Sequence, residues 1–310
     1  MNESDKPTSG TSPEGSPLDR RPPQPHRSEA PQEAPLPDTA IKGSLFVIGG
    51  AEDKKGPMRV LKRFVELCGG SRASIGVLAT ASKNSPDAAD VYVDIFRRLG
   101  ARDVFAMPIT SRSDAYNPKY IRFMEQLSGA FFTGGNQIAL TSAIGGTTLS
   151  AALYHMYERG GVVGGTSAGA SAVSRHMIMG GATGISPRKG KVTVAAGLGL
   201  LKNVVVDQHF SARRRLGRLL TVVATNPFLL GIGIDEDTAC HIHPERTFDV
   251  YGSGTVTVLD GSEITYTNVP YVERNDVPLC IYNVRTHVLI NGSSYDIARR
   301  KPLRAPSTEE

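Results

Sequence analysis

The sequence predicts an α/β domain built as a three-layer sandwich, in which helices cover both faces of a mostly parallel sheet. From residue 41 onward, short runs of β-forming residues alternate with amphipathic helical patterns, the order expected of parallel strands joined by crossover helices. The runs are almost continuously apolar, as in strands that are buried on both faces. Past about residue 235, strand and turn patterns follow one another and predict an antiparallel β extension near the C-terminus.

The predicted elements follow in order along the chain. In the parallel part we expect strands at 44–48, 73–79, 104–107, 130–133 and 162–163, and helices near 57–68, 86–99, 117–127, 136–143 and 147–159. Two further apolar strands are expected at 204–206 and 229–234. In the extension we expect strands at 247–250, 254–259, 263–267 and 279–284, the last continuing to residue 290 through a turn.

Three segments are distinguished by composition. Residues 1–40 are rich in Pro, Ser, Glu and Gln; such a segment cannot bury enough surface to offset its ordering entropy, and it is predicted to be a disordered tail. Residues 41–300 are predicted to form a single α/β domain that carries any active site. Residues 301–310 are predicted to be a C-terminal tail, and the basic run Arg299-Arg300-Lys301 is expected to be solvated.

Composition also excludes several classes of function. The net charge is +5, but the basic residues are scattered among few aromatics, so nucleic-acid binding is not expected. No run approaches the roughly 18 apolar residues of a membrane span, and no apolar leader segment is evident. The cysteines Cys68, Cys240 and Cys280 lie far apart and are predicted to be reduced thiols of a cytoplasmic protein. His241 and His243 would share one face of a strand, but no third ligand is evident, so no metal is expected.

The segment Gly-Gly-Thr-Ser-Ala-Gly-Ala-Ser at 164–171 contains a candidate nucleophile. Its Gly-x-Ser-x-Gly spacing is that of an elbow between a strand and a helix, which holds a serine in a strained turn with its oxygen exposed. The same spacing also occurs in Gly-rich turns that have no chemistry. Ser167 is therefore a candidate nucleophile, and a strand before it and a helix after it would distinguish an elbow from an ordinary turn.

A serine nucleophile needs an imidazole base that is oriented by a carboxylate. His209 ends one buried strand, and the next apolar strand ends in Asp235-Glu236-Asp237; spacing leaves open which carboxylate orients the imidazole. The order Ser, His, acid differs from that of α/β-hydrolases and disfavours their fold. Taken singly, His209 fits a structural histidine and the carboxylates fit helix or turn caps. Their expected place at the carboxyl edge of one sheet favours an active site.

Two further features fit such a site. The Gly-Gly turn within 132–137 follows a strand, so the backbone N–H groups of Gly135 and Ala168 are candidates for an oxyanion hole. The run after His209 contains Arg213, Arg215 and Arg218. Guanidinium groups bind carboxylates in a bidentate manner, so this run indicates an acidic substrate. The alternative is that these arginines form a solvated helix face. Residues 48–52 lack the spacing of a phosphate-binding loop and are predicted to form a tight turn lining the pocket.

Three motifs together resemble the cyanophycinase family of serine peptidases, which is related to aspartyl dipeptidases of the peptidase E type. They are Gly-Gly-Thr-Ser-Ala-Gly-Ala at 164–170, Asp-Gln-His-Phe at 207–210 with the arginine-rich run, and Gly-Ile-Gly-Ile-Asp-Glu-Asp-Thr-Ala at 231–239. The resemblance spans about residues 41–290. It implies a fold like that of class I glutamine amidotransferases, whose nucleophile, His and Glu occur in the same order, and it implies a homodimer.

Carried onto this sequence, the resemblance implies Ser167 as nucleophile, His209 as base and Glu236 as the orienting acid. It implies a substrate pocket lined by the side chains of Gln137, Asp207, Gln208, Arg213, Arg215 and Arg218.

The implied substrate is cyanophycin, a poly-aspartate chain with arginine joined to each β-carboxyl. The implied reaction hydrolyses the backbone Asp–Asp bond from a chain end through an acyl-enzyme and releases β-Asp-Arg dipeptides, with no metal or organic cofactor. A peptidase E-like aspartyl or isoaspartyl dipeptidase is the alternative. A non-catalytic protein that binds an acidic ligand is less favoured, because such a protein needs no base beside a serine.

Overall fold

The computed structural model describes residues 41–82 and 85–305. The strands in these ranges are β1 Ser44–Ile48, β2 Ser74–Leu78, β3 Asp103–Met107, β4 Gly129–Phe132, β5 Val162–Thr166, β6 His176–Gly181, β7 Val192–Ala196, β8 Val204–Gln208, β9 Leu230–Ile234, β10 Thr238–Ile242, β11 Thr247–Gly252, β12 Val256–Asp260, β13 Tyr266–Thr267, β14 Ile281–Tyr282, β15 Arg285–Leu289, β16 Ser294–Asp296 and β17 Lys301–Arg304. The helices are α1 Arg59–Leu67, α2 Ser85–Arg98, α3 Pro118–Met124, α4 Gln137–Ile144, α5 Thr148–Glu158, α6 Ala168–Ala172 and α7 Leu216–Thr225. The predicted tail at 1–40 lies outside the described residues.

A central sheet of nine strands runs through the described part of the chain in the order β17-β16-β11-β10-β1-β5-β4-β2-β3. The strands from β1 to β3 in this order are parallel. From β10 to β17 each neighbouring pair is antiparallel, beginning with the pairing of β10 against β1. This arrangement confirms the predicted α/β fold, with a mostly parallel sheet and an antiparallel β extension from its edge.

Helices cover both faces of the parallel strands. On one face α1 and α2 pack on a core that includes Phe46, Phe64 and Phe131. On the other face α3 to α6 pack on a second core that includes Leu45 and Phe132. Every residue of β4 and β5 is buried, which explains why these strands read as continuous apolar runs rather than as alternating patterns.

A second sheet, of order β15-β12-β9-β8, carries part of the candidate site. β8 and β9 are parallel, so Gln208 pairs with Ile234 and both strands end at the same edge. The serine follows β5 of the central sheet, whereas the histidine and the carboxylates follow β8 and β9. The expectation that all of them lie at the edge of one sheet is therefore wrong. An apolar run predicts that a strand is buried, but not which strand it pairs with.

The C-terminal region differs most from the sequence-based expectation. The predicted strand at 279–284 is reduced to β14, which pairs with β13, and its continuation is β15. Residues 301–304 form β17 on β16 rather than a tail. Arg299 and Lys301 are exposed as expected, but Arg300 is only 20% exposed, and its Nη1 donates to Oδ1 of the fully buried Asp260 at 2.5 Å. A buried carboxylate needs such a partner, and this contact joins the residue before β17 to β12.

Candidate active site

Ser167 stands at the turn between β5 and α6. Its φ of 53° lies in the left-handed region that residues other than glycine rarely adopt. Its backbone N–H donates to the Ile48 carbonyl at 3.0 Å. A Cβ on Gly165 would lie 2.6 Å from the backbone of Gly169, so the start of the helix approaches the strand too closely for any side chain there. Strand, strained serine and helix together are the context that a nucleophile elbow requires.

A chain of hydrogen bonds joins Ser167 to His209 and Glu236. Ser167 Oγ lies 3.0 Å from His209 Nε2, and His209 Nδ1 lies 2.6 Å from Glu236 Oε1. The carboxylate accepts a hydrogen bond from Nδ1–H, which leaves the Nε2 lone pair facing the serine hydroxyl. This is the tautomer and orientation that a general base for a serine nucleophile needs.

The three neighbouring carboxylates have different contacts, which separates the alternatives that spacing left open. Asp235 accepts hydrogen bonds from the backbone of Ser211 and from the hydroxyl and backbone of Thr255. Asp237 accepts from the backbone of Asp53 at 2.9 Å and from a serine hydroxyl at 2.8 Å. Both therefore hold loops together, and Glu236 is the carboxylate that contacts the imidazole.

His209 is buried, with 8% of its surface exposed. Burial lowers the pKa of His209 below its ordinary value of 6.5; the hydrogen bond that His209 donates to Glu236 opposes this shift, and the positive charge of Arg213 adds to it. The imidazole is therefore neutral at neutral pH, in the state that can accept a proton.

The backbone of residues 48–50 contacts all three segments of this hydrogen-bonded chain. Its successive carbonyl groups accept the N–H groups of Ser167, His209 and Asp237, at 3.0, 2.7 and 2.9 Å. Gly50 has a φ of 101°, and a Cβ on it would lie 2.4 Å from Cε1 and Nε2 of the imidazole. The turn that was predicted to line the pocket thus lies directly against the His209 ring.

The Gly-Gly turn after β4 also lies beside the serine. A Cβ on Gly134 would be 3.4 Å from Ser167 Cβ. Gly135 has a φ of 140°, and a Cβ on it would be 1.9 Å from the Ala81 carbonyl oxygen. Ala168 follows the serine as the first residue of α6. Gly134 and Ala168 thus lie beside Ser167, and the N–H groups of Gly135 and Ala168 remain candidates for the oxyanion hole.

Asp207 lies in a buried ionic network with two of the candidate arginines. It has no exposed surface, and Arg215 and Arg218 are each 7% exposed. Arg218 donates to the carboxylate through Nε at 2.6 Å and through Nη2, and Arg215 Nη1 lies 3.3 Å from Oδ1. The Gln208 backbone N–H donates to Oδ1 at 2.9 Å. These contacts orient the end of β8, immediately before His209.

The other predicted pocket residues are placed differently. Arg213 is exposed. Gln208 is buried, and its Oε1 accepts from Arg215 Nη1 at 2.8 Å and lies 3.5 Å from Ser167 Oγ. Gln137 donates through Nε2 to two carbonyl groups of β6, at 2.8 and 3.0 Å. Gln208 thus contacts the serine directly, whereas Gln137 joins the Gly-Gly turn to the β6–β7 hairpin.

Comparison with known proteins decides what kind of protein this is. The family model of peptidase family S51 matches residues 45–250. The chain belongs to peptidase family S51. It is 39% identical over 264 residues to a cyanophycinase from Geminocystis herdmanii, an alignment that covers 85% of this chain and 97% of that protein. It is 38% identical over 278 residues to a cyanophycinase from Synechococcus elongatus, covering 88% of this chain and 86% of that protein.

A third relative agrees with this assignment, and a solved structure supports the fold. A cyanophycinase from Trichormus variabilis is 38% identical over 290 residues, which cover 93% of this chain and 96% of that protein. A crystal structure of a peptidase from an acI-B1 actinobacterium has a TM-score of 0.61 at 21% identity and covers 84% of this chain and 98% of that one; it supports the fold. The chain is thus a peptidase, and the predicted family is confirmed. Among the described residues, no helix is long and apolar enough to cross a membrane.

Sequence reasoning missed one buried group of this S51 peptidase. Glu52 is 4% exposed, and its carboxylate accepts the Thr166 hydroxyl at 2.6 Å, next to the nucleophile elbow. It also accepts the Tyr92 hydroxyl and lies 2.8 Å from Lys54 Nζ. Burial acts to raise the pKa of Glu52, but the charge of Lys54 and these hydrogen bonds outweigh it and lower the pKa. The available signal was the carboxylate of Glu52 at the end of the predicted turn at 48–52.

A basic cavity of about 220 Å³ lies between the β6–β7 region and the start of α7 in this S51 peptidase. Its charged lining residues are Arg188, Lys191 and Arg218. Asp276 contacts Arg188 at 3.4 Å and Lys191 at 3.3 Å. The cavity therefore has cationic lining residues and one carboxylate in contact with two of them.

Proposed function

We propose that this peptidase hydrolyses cyanophycin as a serine-type exopeptidase and releases β-Asp-Arg dipeptides. The observation that carries the proposal is the hydrogen-bonded chain of Ser167, His209 and Glu236. It occurs in a protein that is 38–39% identical to cyanophycinases along most of its length. The buried neutral imidazole between a strained serine and a carboxylate supports catalysis rather than simple binding.

In the proposed mechanism, Ser167 Oγ attacks the scissile carbonyl carbon while His209 Nε2 takes the hydroxyl proton. Glu236 stabilises the resulting imidazolium through Nδ1. The backbone N–H groups of Gly135 and Ala168 donate to the oxyanion. His209 then protonates the leaving amine, and an acyl-enzyme remains on Ser167. Water, deprotonated by His209, attacks the ester carbonyl and releases the carboxylate product and the free serine.

Substrate recognition in this proposal uses exposed and buried charges in different ways. Arg213 is exposed next to the imidazole and is the proposed contact for a substrate carboxylate. Asp207, Arg215 and Arg218 act by positioning Gln208 and His209, because their charges are used within the buried network. The cavity beside Arg218 is proposed to receive part of the doubly charged side chain.

The test incubates the purified chain and its Ser167→Ala variant with insoluble cyanophycin and identifies the soluble products by mass. We expect β-Asp-Arg from the wild type and a loss of turnover of roughly 10³-fold or more in Ser167→Ala. Ser171→Ala is the matched control, because it removes a hydroxyl from the same helix that bonds to the Val206 carbonyl instead. It is expected to retain turnover within a few-fold of the wild type.

Other results would change the proposal in defined ways. If neither protein releases β-Asp-Arg but the wild type cleaves short aspartyl or isoaspartyl dipeptides, the substrate assignment is wrong and the peptidase E-like alternative is correct. Equal turnover by the wild type and Ser167→Ala would exclude Ser167 as nucleophile.

The homodimer and the cytoplasmic location stay predictions that follow from the family resemblance and from the cysteines. The cysteines of the described chain are free thiols, of which Cys68 and Cys240 are buried. Light scattering of the purified protein measures the oligomeric state.

A further inference from the structure

The antiparallel extension carries a cluster of potential metal ligands that the proposed mechanism does not use. His241 on β10 pairs directly with Asp249 on β11, and His243 follows the end of β10. One ligand atom from each of these three side chains lies within 4.8 Å of the other two. The sequence offered no third ligand for the two histidines, and the pairing of β10 with β11 supplies one.

His241 is buried without a polar partner. It is 5% exposed, and neither ring nitrogen has a hydrogen-bond partner among the described residues. Buried polar groups are almost always paired, because an unpaired one loses its hydration without compensation. The imidazole packs against the His243 ring, with centroids 4.2 Å apart.

The other two side chains are hydrogen-bonded to each other, and the carboxylate has a further hydrogen-bond partner. His243 Nε2 lies 2.8 Å from Asp249 Oδ2. The Ser294 hydroxyl donates to the other carboxylate oxygen, Oδ1, at 2.6 Å. Such outer hydrogen bonds are typical of metal-binding carboxylates, because they fix the orientation of the ligand oxygen.

We propose that His241, His243 and Asp249 form a binding site for a divalent transition-metal ion, with Zn²⁺ as the best match. Two imidazoles and one carboxylate are a ligand set that Zn²⁺ uses, and three protein ligands leave a fourth position for water. In a tetrahedral site with bonds of about 2.0 Å, ligand atoms are about 3.3 Å apart, so modest side-chain rotations suffice. The ion would take the place of the direct hydrogen bond between His243 Nε2 and Asp249 Oδ2.

The site is separate from the proposed triad. Glu236 precedes β10 at one end, whereas His243 follows β10 at the other end, roughly 16 Å further along an extended strand. Arg63 on α1 lies 5.2 Å from the centroid of the Tyr251 ring, and its charge acts on His241. This cation opposes metal binding, and Asp249 offsets it.

The test titrates the full-length protein with Zn²⁺ after removal of metals by a chelator, using calorimetry, and with Co²⁺, using its visible absorption spectrum. We expect one ion per chain and a tetrahedral Co²⁺ spectrum. His243→Ala and Asp249→Asn are expected to weaken binding at least about tenfold. The side chains of His243 and Asp249 are partly exposed, 26% and 34% respectively. These two variants therefore test the site even if a buried His241→Ala variant fails to fold.

The controls use matched groups elsewhere in the chain. His155→Ala removes a histidine that pairs with a carboxylate, Glu158, at 3.1 Å on an exposed helix, and it is expected to leave binding unchanged. Arg63→Gln is expected to tighten binding by about threefold or more, because it removes a nearby positive charge.

The proposal is overturned if Zn²⁺ binds His243→Ala and Asp249→Asn as tightly as the wild type. It is also overturned if the wild type takes up no ion, or if uptake is lost in His209→Ala and kept in His243→Ala, since the ion would then lie at the triad.

Discussion

Replacing Asp207 by Asn tests whether this residue holds the fold or contacts the substrate. The side chain keeps its shape and loses its charge, while two arginines that are each 7% exposed remain beside it. The carboxylate receives Arg218 through two nitrogens and Arg215 through one. Burial lowers the pKa of Arg215 to about 10, with Asp207 opposing the shift, so Arg215 stays charged at neutral pH and loses its counter-charge in the variant.

Removing one partner of a buried ion pair typically costs about 3–5 kcal/mol, because the other charge is left uncompensated. We expect Asp207→Asn to lower the free energy of unfolding by about this amount, measured by urea denaturation followed by circular dichroism. The turnover number should fall as well, because the network orients the backbone immediately before His209.

Asp276→Asn is the matched control for this prediction. Asp276 also bridges two cations, Arg188 and Lys191, but its side chain is 55% exposed, so the expected loss is at most about 1 kcal/mol. Adding Arg218→Met to Asp207→Asn should cost less than the sum of the two single changes, because the double variant leaves fewer charges unpaired. A loss in Asp207→Asn no larger than in Asp276→Asn, combined with a raised KM, would refute the buried-network role and favour direct substrate contact.

Two further predictions concern the imidazole. Burial lowers the pKa of His209 and the charge of Arg213 adds to this shift, so the acid limb of the pH profile of kcat/KM should lie below pH 6.5. Arg213→Gln removes a cation that disfavours the imidazolium, and the acid limb should therefore move to higher pH. An acid limb that does not move in this variant would contradict the stated cause. Gly50→Ala places a Cβ 2.4 Å from His209 Nε2 and should lower kcat with the fold retained, as measured by kinetics and circular dichroism. Gly70→Ala, also at a positive φ but with open space around its Cβ position, should leave kcat unchanged; equal effects of the two variants would mean that backbone strain alone is responsible.

Most of the parallel part of the fold could be predicted because its strands are buried on both faces. The runs at 44–48 and 73–79 correspond closely to β1 and β2. The strands that were not fully predicted have other patterns. β10 reads Thr-Ala-Cys-His-Ile; it was expected only as a strand that carries the two histidines, and its complete burial was not predicted. The β6–β7 hairpin leaves several residues exposed, and its weak apolar pattern gave no signal.

The candidate site was predictable in its residue types but not in its contacts. Sequence reasoning placed the arginines of the run after His209 in one pocket, yet Arg213 is exposed while Arg215 and Arg218 are buried. The reason is that α7 begins at Leu216. Arg213 and Arg215 therefore precede the helix and Arg218 lies in its first turn, so the three do not share one helix face. Which arginine meets Asp207 depends on non-local packing that no periodicity encodes.

The turn at 48–50 explains how residues from two separate sheets form one aligned site. Ser167 and His209 both have left-handed backbone conformations, each of which costs on the order of 1–3 kcal/mol and persists only where surrounding contacts over-determine it. Successive carbonyls at the end of β1 accept their N–H groups and that of Asp237. Two of these bonds continue the pairing of β1 with β5 and with β10, and the bond to His209 attaches the end of β8 to the same turn, so the three carbonyls set the spacing of the nucleophile, base and acid segments. Position 50 requires glycine because a side chain at this position would overlap the imidazole of His209.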